Sequence, residues 1–102
     1  MNQVVEEHRE ELTLLCKLYG VRKLELFGSA ATDRFDPATS DLDFLVEFGE
    51  LGHGKYADAY FGLLEALEQL FHRPVDLVVA SVIRNPYFLE EIAKTRTLLY
   101  AA

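Results

Sequence analysis

The chain has 102 residues, of which 50% are hydrophobic and 26% charged, as expected for one globular domain with a modest core. Its formal net charge of -7 argues against a protein that binds a phosphate backbone, because such proteins present a basic face. We therefore predict that nucleic acid is not a direct partner. Cys16 is the one cysteine, so an intrachain disulfide is excluded, and this is consistent with a reducing cytoplasm.

The predicted location is the cytoplasm, without a membrane partner. The first segment, "MNQVVEEHREEL", is acidic and lacks the basic and then apolar pattern of a signal peptide. The sequence contains no apolar run of the length that a bilayer span needs. It also contains no repeat, low-complexity segment or linker, so we predict a single domain over residues 1–102.

Helical and strand patterns alternate along the chain. Apolar residues recur at helical spacing in some segments and alternate with polar residues in others. In chain order the pattern predicts a helix over 3–19 that stops at Gly20, a strand over 22–27, a helical turn over 30–34, a strand over 41–48, a helix over 56–72, a strand over 74–80, a helix over 86–95 capped by Asn85, and a short strand over "TLLYA". This order predicts an α/β fold in which helices pack on a small sheet.

Two carboxylates interrupt the apolar strand "DLDFLVEF". Side chains alternate across a strand, so Asp41 and Asp43 project from one face while the apolar residues between and after them face the core. Neighbouring carboxylates repel each other when both are ionised. A divalent cation relieves that repulsion, and magnesium prefers such oxygen ligands. The pair therefore predicts a metal site.

A third acid, Asp76, lies within the apolar run "PVDLVV". If its strand pairs beside 41–48, Asp76 completes a cluster of three carboxylates with Asp41 and Asp43. The alternative is that the three aspartates lie at strand ends and face water. Buried acids are rare unless they are paired or bound to metal, which favours the cluster.

Gly28 and Ser29 end the strand before the aspartate pair. A strand that ends in Gly-Ser and enters a helical turn offers backbone N–H groups and a hydroxyl to an anion, and glycine lets the backbone come close. The dipeptide alone is a weak signal, and the aspartates that follow it strengthen its interpretation as a phosphate-binding turn.

Gly28-Ser29, Asp41-Leu42-Asp43 and Asp76, each on a successive strand, resemble the signature of the polymerase-β-type nucleotidyltransferases. The short chain is similar to the minimal members, or MNT domains, from about residue 4 to the end, including "RPVDLV" and "IRNPYFLEEI". The resemblance implies a small mixed sheet flanked by helices, as in the polymerase-β palm.

The resemblance also implies the site and its chemistry. Gly28 and Ser29 would contact the phosphates of ATP, and Asp41 and Asp43 would hold magnesium, with two ions expected. Asp76 would either join a metal or act as the base toward the attacking hydroxyl. Many minimal members resemble antitoxins that transfer AMP from ATP to a tyrosine of a HEPN-domain ribonuclease toxin and silence it.

The segment after Gly28-Ser29 departs from the family pattern. Residues 30–40 separate it from Asp41 by eleven positions instead of the usual ten, and "AATDR" replaces an arginine-rich continuation. Arg34 is the candidate for the missing positive charge toward a phosphate. Asp33 stands where many members carry glycine and adds an unfavourable negative charge near the phosphate path.

The segment "GELGHGKY", residues 49–56, nearly spells a P-loop. Tyr56 stands where a serine or threonine would bind magnesium, so we interpret the segment as a flexible loop between a strand and a helix. The three histidines, His8, His53 and His72, show no zinc-type spacing. His8 is predicted to be a packed core or edge residue.

Four aromatic residues, Tyr56, Phe61, Tyr87 and Phe88, are hard to place in one small core. Single exposed aromatic side chains are normal, and this is the favoured interpretation. If they cluster, they would instead form a surface for docking a partner.

Three functions remain open from the sequence. The first is a protein adenylyltransferase that takes its acceptor site from a partner chain, because a domain of this size has no room for one. The second is a catalytically weak or inactive nucleotide-binding module that neutralises its partner by occlusion, which "AATDR" favours slightly. The third is a small-molecule nucleotidyltransferase, acting for example on an aminoglycoside. A homo-oligomer and a hetero-oligomer both remain open.

Overall fold

The structure is a computed structural model that describes residues 3–32, 36 and 41–102, with the backbone alone for Ser29 and Ala30. The helices are α1 (Gln3–Glu6), α2 (Arg9–Leu18), α3 (Tyr56–Phe71) and α4 (Pro86–Thr95), and the strands are β1 (Val21–Phe27), β2 (Leu42–Phe48), β3 (Val75–Val79) and β4 (Thr97–Ala101). Single 3-10 turns follow β1 (Gly28–Ala31) and β3 (Ala80–Val82). The predictions made for residues 33–35 and 37–40 lie outside the described residues.

The four strands form one mixed sheet in the order β3-β2-β1-β4. β1 pairs antiparallel with β2 and with β4, whereas β2 and β3 run parallel. The parallel pair requires a crossover, and α3 supplies it between the two strands. The predicted fold class, a small mixed sheet flanked by helices, is confirmed.

Both faces of the sheet carry apolar residues. One face packs against α2 and α3 and contains the larger core, in which Leu42, Phe44 and Val46 of β2 are fully buried as predicted. The other face carries a smaller cluster in which Phe27 and Leu45 pack with Ile92 of α4. Asp43 is on this second face, so its carboxylate shares a partly covered surface with an apolar cluster.

Helices α3 and α4 form where the apolar spacing and the capping residues predict them. Leu63, Leu67 and Phe71 recur every fourth residue of α3 and are all buried. α4 begins with Pro86 behind the predicted cap, where Asn85 Oδ1 accepts hydrogen bonds from the N–H groups of Tyr87 and Phe88. Within the described part of the chain, helices with the length and apolarity to cross a membrane are absent.

The N-terminal helix differs from the prediction of one helix over 3–19. It breaks at Glu7 and His8 into α1 and α2. His8 adopts a non-helical backbone conformation, its Nδ1 lies 2.7 Å from Glu11 Oε2, and its ring packs edge-on against Phe71. The helical spacing of apolar residues continues across the break, which is why periodicity alone predicted one helix. The prediction of His8 as a core or edge residue agrees with these contacts.

Candidate active site

The register of the sheet aligns the residues that the sequence singled out. Phe27 at the end of β1 pairs with Asp43 on β2, and Asp43 pairs with Asp76 on β3. Asp41 lies one residue before β2 and is exposed. Parallel partners point to the same side of a sheet, so the Asp43 and Asp76 carboxylates are neighbours at one end of the strand pair. The structure thus brings Asp43 and Asp76 together as predicted from the sequence, with Asp41 close enough to act on Asp43.

Asp43 is the electrostatic centre of this group. Burial, then the charges of Asp76 and Asp41 and a hydrogen bond with Asp76, together raise its pKa from 3.8 to about 6. The negative charges are therefore close enough to disfavour ionisation of Asp43. A bound cation would reverse this effect, because it stabilises the ionised carboxylate.

Gly28 touches Asp43 directly. It begins the 3-10 turn with a φ of +71°, a conformation that glycine adopts without strain. A β-carbon on Gly28 would lie 2.5 Å from Asp43 Oδ2, closer than atoms can approach without displacement. Glycine is required here for two reasons, the backbone conformation and the space that Asp43 occupies.

The residues at the end of α4 that hold the Gly28 turn in place were not identified from the sequence. The N–H of Gly28 donates to Thr95 Oγ1 at 3.0 Å, across 67 residues of sequence. The next residue, Arg96, makes two hydrogen bonds of 2.9 and 2.6 Å to the buried carboxylate of Glu25 on β1. Glu25, a charge within the apolar strand "RKLELF", was the available signal for a buried ion pair. Thr95 gave no signal, because its contact depends on tertiary structure.

Tyr60 is a second residue that the sequence did not connect with the site. Its hydroxyl donates to the Leu77 carbonyl at 2.6 Å, next to Asp76. Burial, then the charge of Asp76, then Tyr56 raise its pKa. Tyr60 therefore keeps its proton and serves as a hydrogen-bond donor beside the carboxylates.

The donor chemistry of the site is suited to magnesium, since Asp43 and Asp76 offer paired carboxylate oxygens that repel each other without a cation. In the described residues, groups of three or more His, Cys, Asp or Glu arranged to hold a metal by themselves are absent. Magnesium commonly takes one or two carboxylates and completes its shell with water and substrate phosphates. The observed pair matches that pattern.

Several predicted site features are not described. The backbone of Ser29 lies within the 3-10 turn, but its side chain is outside the described set, as are Asp33 and Arg34. Their predicted roles toward the phosphates therefore remain predictions.

The P-loop-like segment lies at the other end of β2 from the carboxylates. At about 3.3 Å per residue, the six residues from Asp43 to Gly49 span about 20 Å. Lys55 is exposed, and its N–H closes a turn onto Gly52. This location agrees with the interpretation as a loop.

The aromatic residues in question pack against different partners. Phe61 packs against Tyr60, Tyr56 against Phe48, and Phe88 against Phe27. Tyr56 and Phe61 belong to α3 and Phe88 to α4, and these contacts do not join them into one surface, in keeping with the favoured interpretation of singly exposed rings.

A mixed sheet that sets paired carboxylates beside a tight glycine turn is the arrangement of an enzyme that transfers nucleotidyl groups. Residues 7–99 match the family described as "Nucleotidyltransferase domain", and the chain belongs to this family. It is 33% identical over 92 residues, 90% of each chain, to a protein of Methanocaldococcus jannaschii named "Putative protein adenylyltransferase". The resemblance predicted from the sequence is confirmed.

Solved structures share the fold. One described as a "putative minimal nucleotidyltransferase" superposes with a TM-score of 0.73 at 28% identity, covering 93% of this chain and 92% of that one. A second comes from a tri-AMPylated HEPN toxin of Shewanella oneidensis in complex with an MNT antitoxin. It has a TM-score of 0.64 at 16% identity and covers 95% of this chain and 72% of the other. A third, a toxin-antitoxin complex with AMP-PNP, has a TM-score of 0.66 at 18% identity, over 92% and 73% of the two chains.

Proposed function

We propose that this nucleotidyltransferase moves AMP from ATP to the hydroxyl of a tyrosine on a partner protein, a HEPN-domain toxin, with magnesium. The observation that carries the proposal is the contact of three elements: Gly28 lies against Asp43, and Asp43 pairs in register with Asp76. If the Gly28 turn binds phosphate as proposed, it and the carboxylate pair supply the two parts that transfer from a nucleoside triphosphate requires.

Asp41, Asp43 and Asp76 are the residues that would hold the metal, with two ions expected. When bound, magnesium neutralises charge on the phosphate oxygens of ATP. Asp43 is central because both neighbours act on its pKa. Asp76 has two open roles, as a further ligand or as the base that accepts the proton of the acceptor hydroxyl.

The reaction we propose is an in-line displacement. The acceptor oxygen attacks the α-phosphorus, its proton passes to a base, and the bond to the pyrophosphate oxygen breaks. Because the Gly28 N–H already donates to Thr95 Oγ1, Gly28 would contribute close backbone approach and the Ser29 backbone would orient the phosphates, with Arg34 as the candidate for an added positive charge. Preorganised positioning of this kind supplies most of the rate in phosphoryl transfer.

The acceptor assignment is supported by similarity. The archaeal relative is named for protein adenylylation, and the fold matches chains from a complex that contains an AMPylated HEPN toxin. Cytoplasmic action belongs to the same proposal and agrees with the single, buried Cys16, whose burial raises its pKa to about 12.

Occlusion without catalysis is the second candidate. It is favoured slightly by the segment "AATDR", which replaces an arginine-rich continuation after Gly28-Ser29. Under this alternative the protein would still bind its partner and neutralise it after Asp41 and Asp43 are replaced. Under the main proposal neutralisation would be lost with the carboxylates.

The deciding experiment is transfer itself. Purified protein is incubated with α-labelled ATP, magnesium and an extract of its source cells, and labelled protein bands are sought. Asp43→Asn should reduce labelling by at least about 100-fold, because several kcal/mol of metal-dependent stabilisation would be lost. Asp58→Asn, a matched change at an exposed aspartate in the first turn of α3, should label normally. Equal labelling by wild type and Asp43→Asn would refute the assignment.

A further inference from the structure

We infer that Thr95, at the last position of α4, is a positioning residue for the nucleotide site: its hydroxyl holds the Gly28 turn against Asp43 in the geometry that receives the phosphates of ATP. The inference rests on the proposed function and adds to it a residue from an element at the other end of the chain.

The contact is direct and specific. Thr95 Oγ1 accepts the N–H of Gly28 at 3.0 Å. The first N–H groups of a 3-10 or α-helical turn have no partner within the turn. Thr95 therefore satisfies a donor that the turn itself leaves unpaired. Because Gly28 also touches Asp43, the hydroxyl acts on the carboxylate site through one backbone residue.

The position of Thr95 does not depend on this one hydrogen bond. Its neighbour Arg96 makes two hydrogen bonds to Glu25, whose side chain is 8% exposed. On the helix side, the Arg96 N–H bonds to the Ile92 carbonyl, and Ile92 is buried. The hydroxyl of Thr97 donates to the Thr95 carbonyl at 3.2 Å. The backbone around Thr95 is therefore anchored on both sides, and the hydroxyl is presented to the turn by a fixed support.

Because the backbone around Thr95 is anchored by other contacts, the hydroxyl can be removed without unfolding the segment. Valine has the shape of threonine and lacks the hydroxyl, so Thr95→Val removes the acceptor while the Arg96–Glu25 pair keeps the segment in place. Gly28 would then have an unpaired N–H, and the turn could shift away from Asp43. One neutral hydrogen bond corresponds to about a five- to tenfold change in an equilibrium constant. Serine keeps the acceptor and should preserve the geometry.

The test measures binding of AMP-PNP with magnesium by calorimetry. Thr95→Val should weaken binding about five- to tenfold, and Thr95→Ser should bind within about twofold of wild type. Thr13→Val is the matched control, because the Thr13 hydroxyl also bonds to a backbone group, the Arg9 carbonyl, but within α2. It should bind as wild type does. Equal binding by Thr95→Val and wild type would overturn the inference.

A second measurement covers the case in which Thr95→Val does not fold. In wild-type protein labelled with ¹⁵N, the Gly28 amide should exchange with solvent slowly, since its hydrogen is held by Thr95. Exchange of Gly28 as fast as that of the exposed loop glycine Gly54 would refute the contact and the inference with it. Failure of wild type to bind the nucleotide would refute the proposed function itself, which is a different outcome from equal binding by wild type and the valine variant.

Discussion

Gly28 and Gly54 share a backbone conformation but differ in their surroundings. Their φ angles are +71° and +75°, both in the left-handed region that costs other residues about 1–2 kcal/mol. A β-carbon at Gly28 would meet Asp43 Oδ2 at 2.5 Å, whereas a β-carbon at Gly54 would have no atom of the described residues within 4 Å apart from its chain neighbours. Comparing alanine substitutions at these two glycines therefore separates the free-energy cost of backbone strain from the cost of a steric clash with Asp43.

We predict that Gly54→Ala lowers the free energy of unfolding by about 1 kcal/mol and leaves transfer activity unchanged. Gly28→Ala should cost about 1–2 kcal/mol more, because the methyl group also displaces Asp43, and it should abolish most of the activity. Urea unfolding and the labelling assay measure the two effects. Similar costs for both variants would contradict the close contact of Gly28 with Asp43.

Asp43 destabilises the folded state when it is ionised. Its carboxylate is half-buried beside two like charges, and its raised pKa shows that the folded metal-free state disfavours the ionised form. A carboxylate in such surroundings is held in place by the rest of the fold at a cost in stability.

We predict that Asp43→Asn, while losing transfer, is more stable than wild type by about 1 kcal/mol at pH 8 without magnesium, since the amide removes the repulsion. Adding magnesium should raise the unfolding midpoint of wild type more than that of the variant, because the variant lacks one of the carboxylates proposed to hold the ion. Urea titrations with and without magnesium measure both. A destabilised Asn variant would show that the carboxylates do not strain the folded state.

The end of α4 is fixed to β1 by the Glu25–Arg96 pair. Glu25 is almost fully buried, whereas the Arg96 side chain is 43% exposed. The hydrogen bond from Arg96 lowers the pKa of Glu25 against the opposing effect of burial. Because the folded pKa lies below its ordinary value of 4.5, the pair stabilises the fold above about pH 4.5. This stability is lost as the pH falls through the lowered pKa.

We predict that Glu25→Gln lowers the free energy of unfolding by about 1–2 kcal/mol at pH 7 and that the difference from wild type shrinks as the pH falls below 4.5. Glu91→Gln breaks the exposed pair of Glu91 with Lys94 and should change stability by less than about 0.5 kcal/mol. Chemical unfolding over this pH range measures the difference. A pH-independent difference would show that packing, and not the ion pair, accounts for the effect.

Local patterns predicted most of the elements. The last helix and last strand begin and end where the sequence placed them, because Asn85-Pro86 is a strong helix start and "TLLYA" is a short β-rich run. The alternation of strand side chains predicted that the aspartates of the segment 41–43 and the acid in β3 lie together, and Asp43 and Asp76 do pair in register. The strand order could not be predicted from periodicity, and neither could the contact of Thr95 with Gly28. Both depend on which elements meet in space.

At the scale of the whole molecule, side chains from the helices hydrogen-bond to backbone groups on both edge strands of the sheet. On β3, Tyr60 donates to the Leu77 carbonyl, and Glu68 accepts the Val75 N–H at 3.2 Å. The Pro74 carbonyl bonds toward β2, and backbone groups alternate along a strand, so the Leu77 carbonyl points outward. On β4, Arg9 donates to the Leu99 carbonyl at 2.8 Å. When the backbone groups of an edge strand have no partner, the sheets of different molecules can pair through them.

We predict that the double variant Tyr60→Phe/Glu68→Ala increases self-association, because it frees outward backbone groups of β3. Sedimentation velocity over a series of protein concentrations measures the shift. The matched control is Tyr56→Phe/Glu65→Ala, which changes the same residue types on the same helix. Tyr56 packs its ring on Phe48, and Glu65 bonds to Gln69. If both double variants remain at the wild-type sedimentation coefficient, the edge contacts do not limit association, and the net charge of -7 would be the stronger barrier between copies.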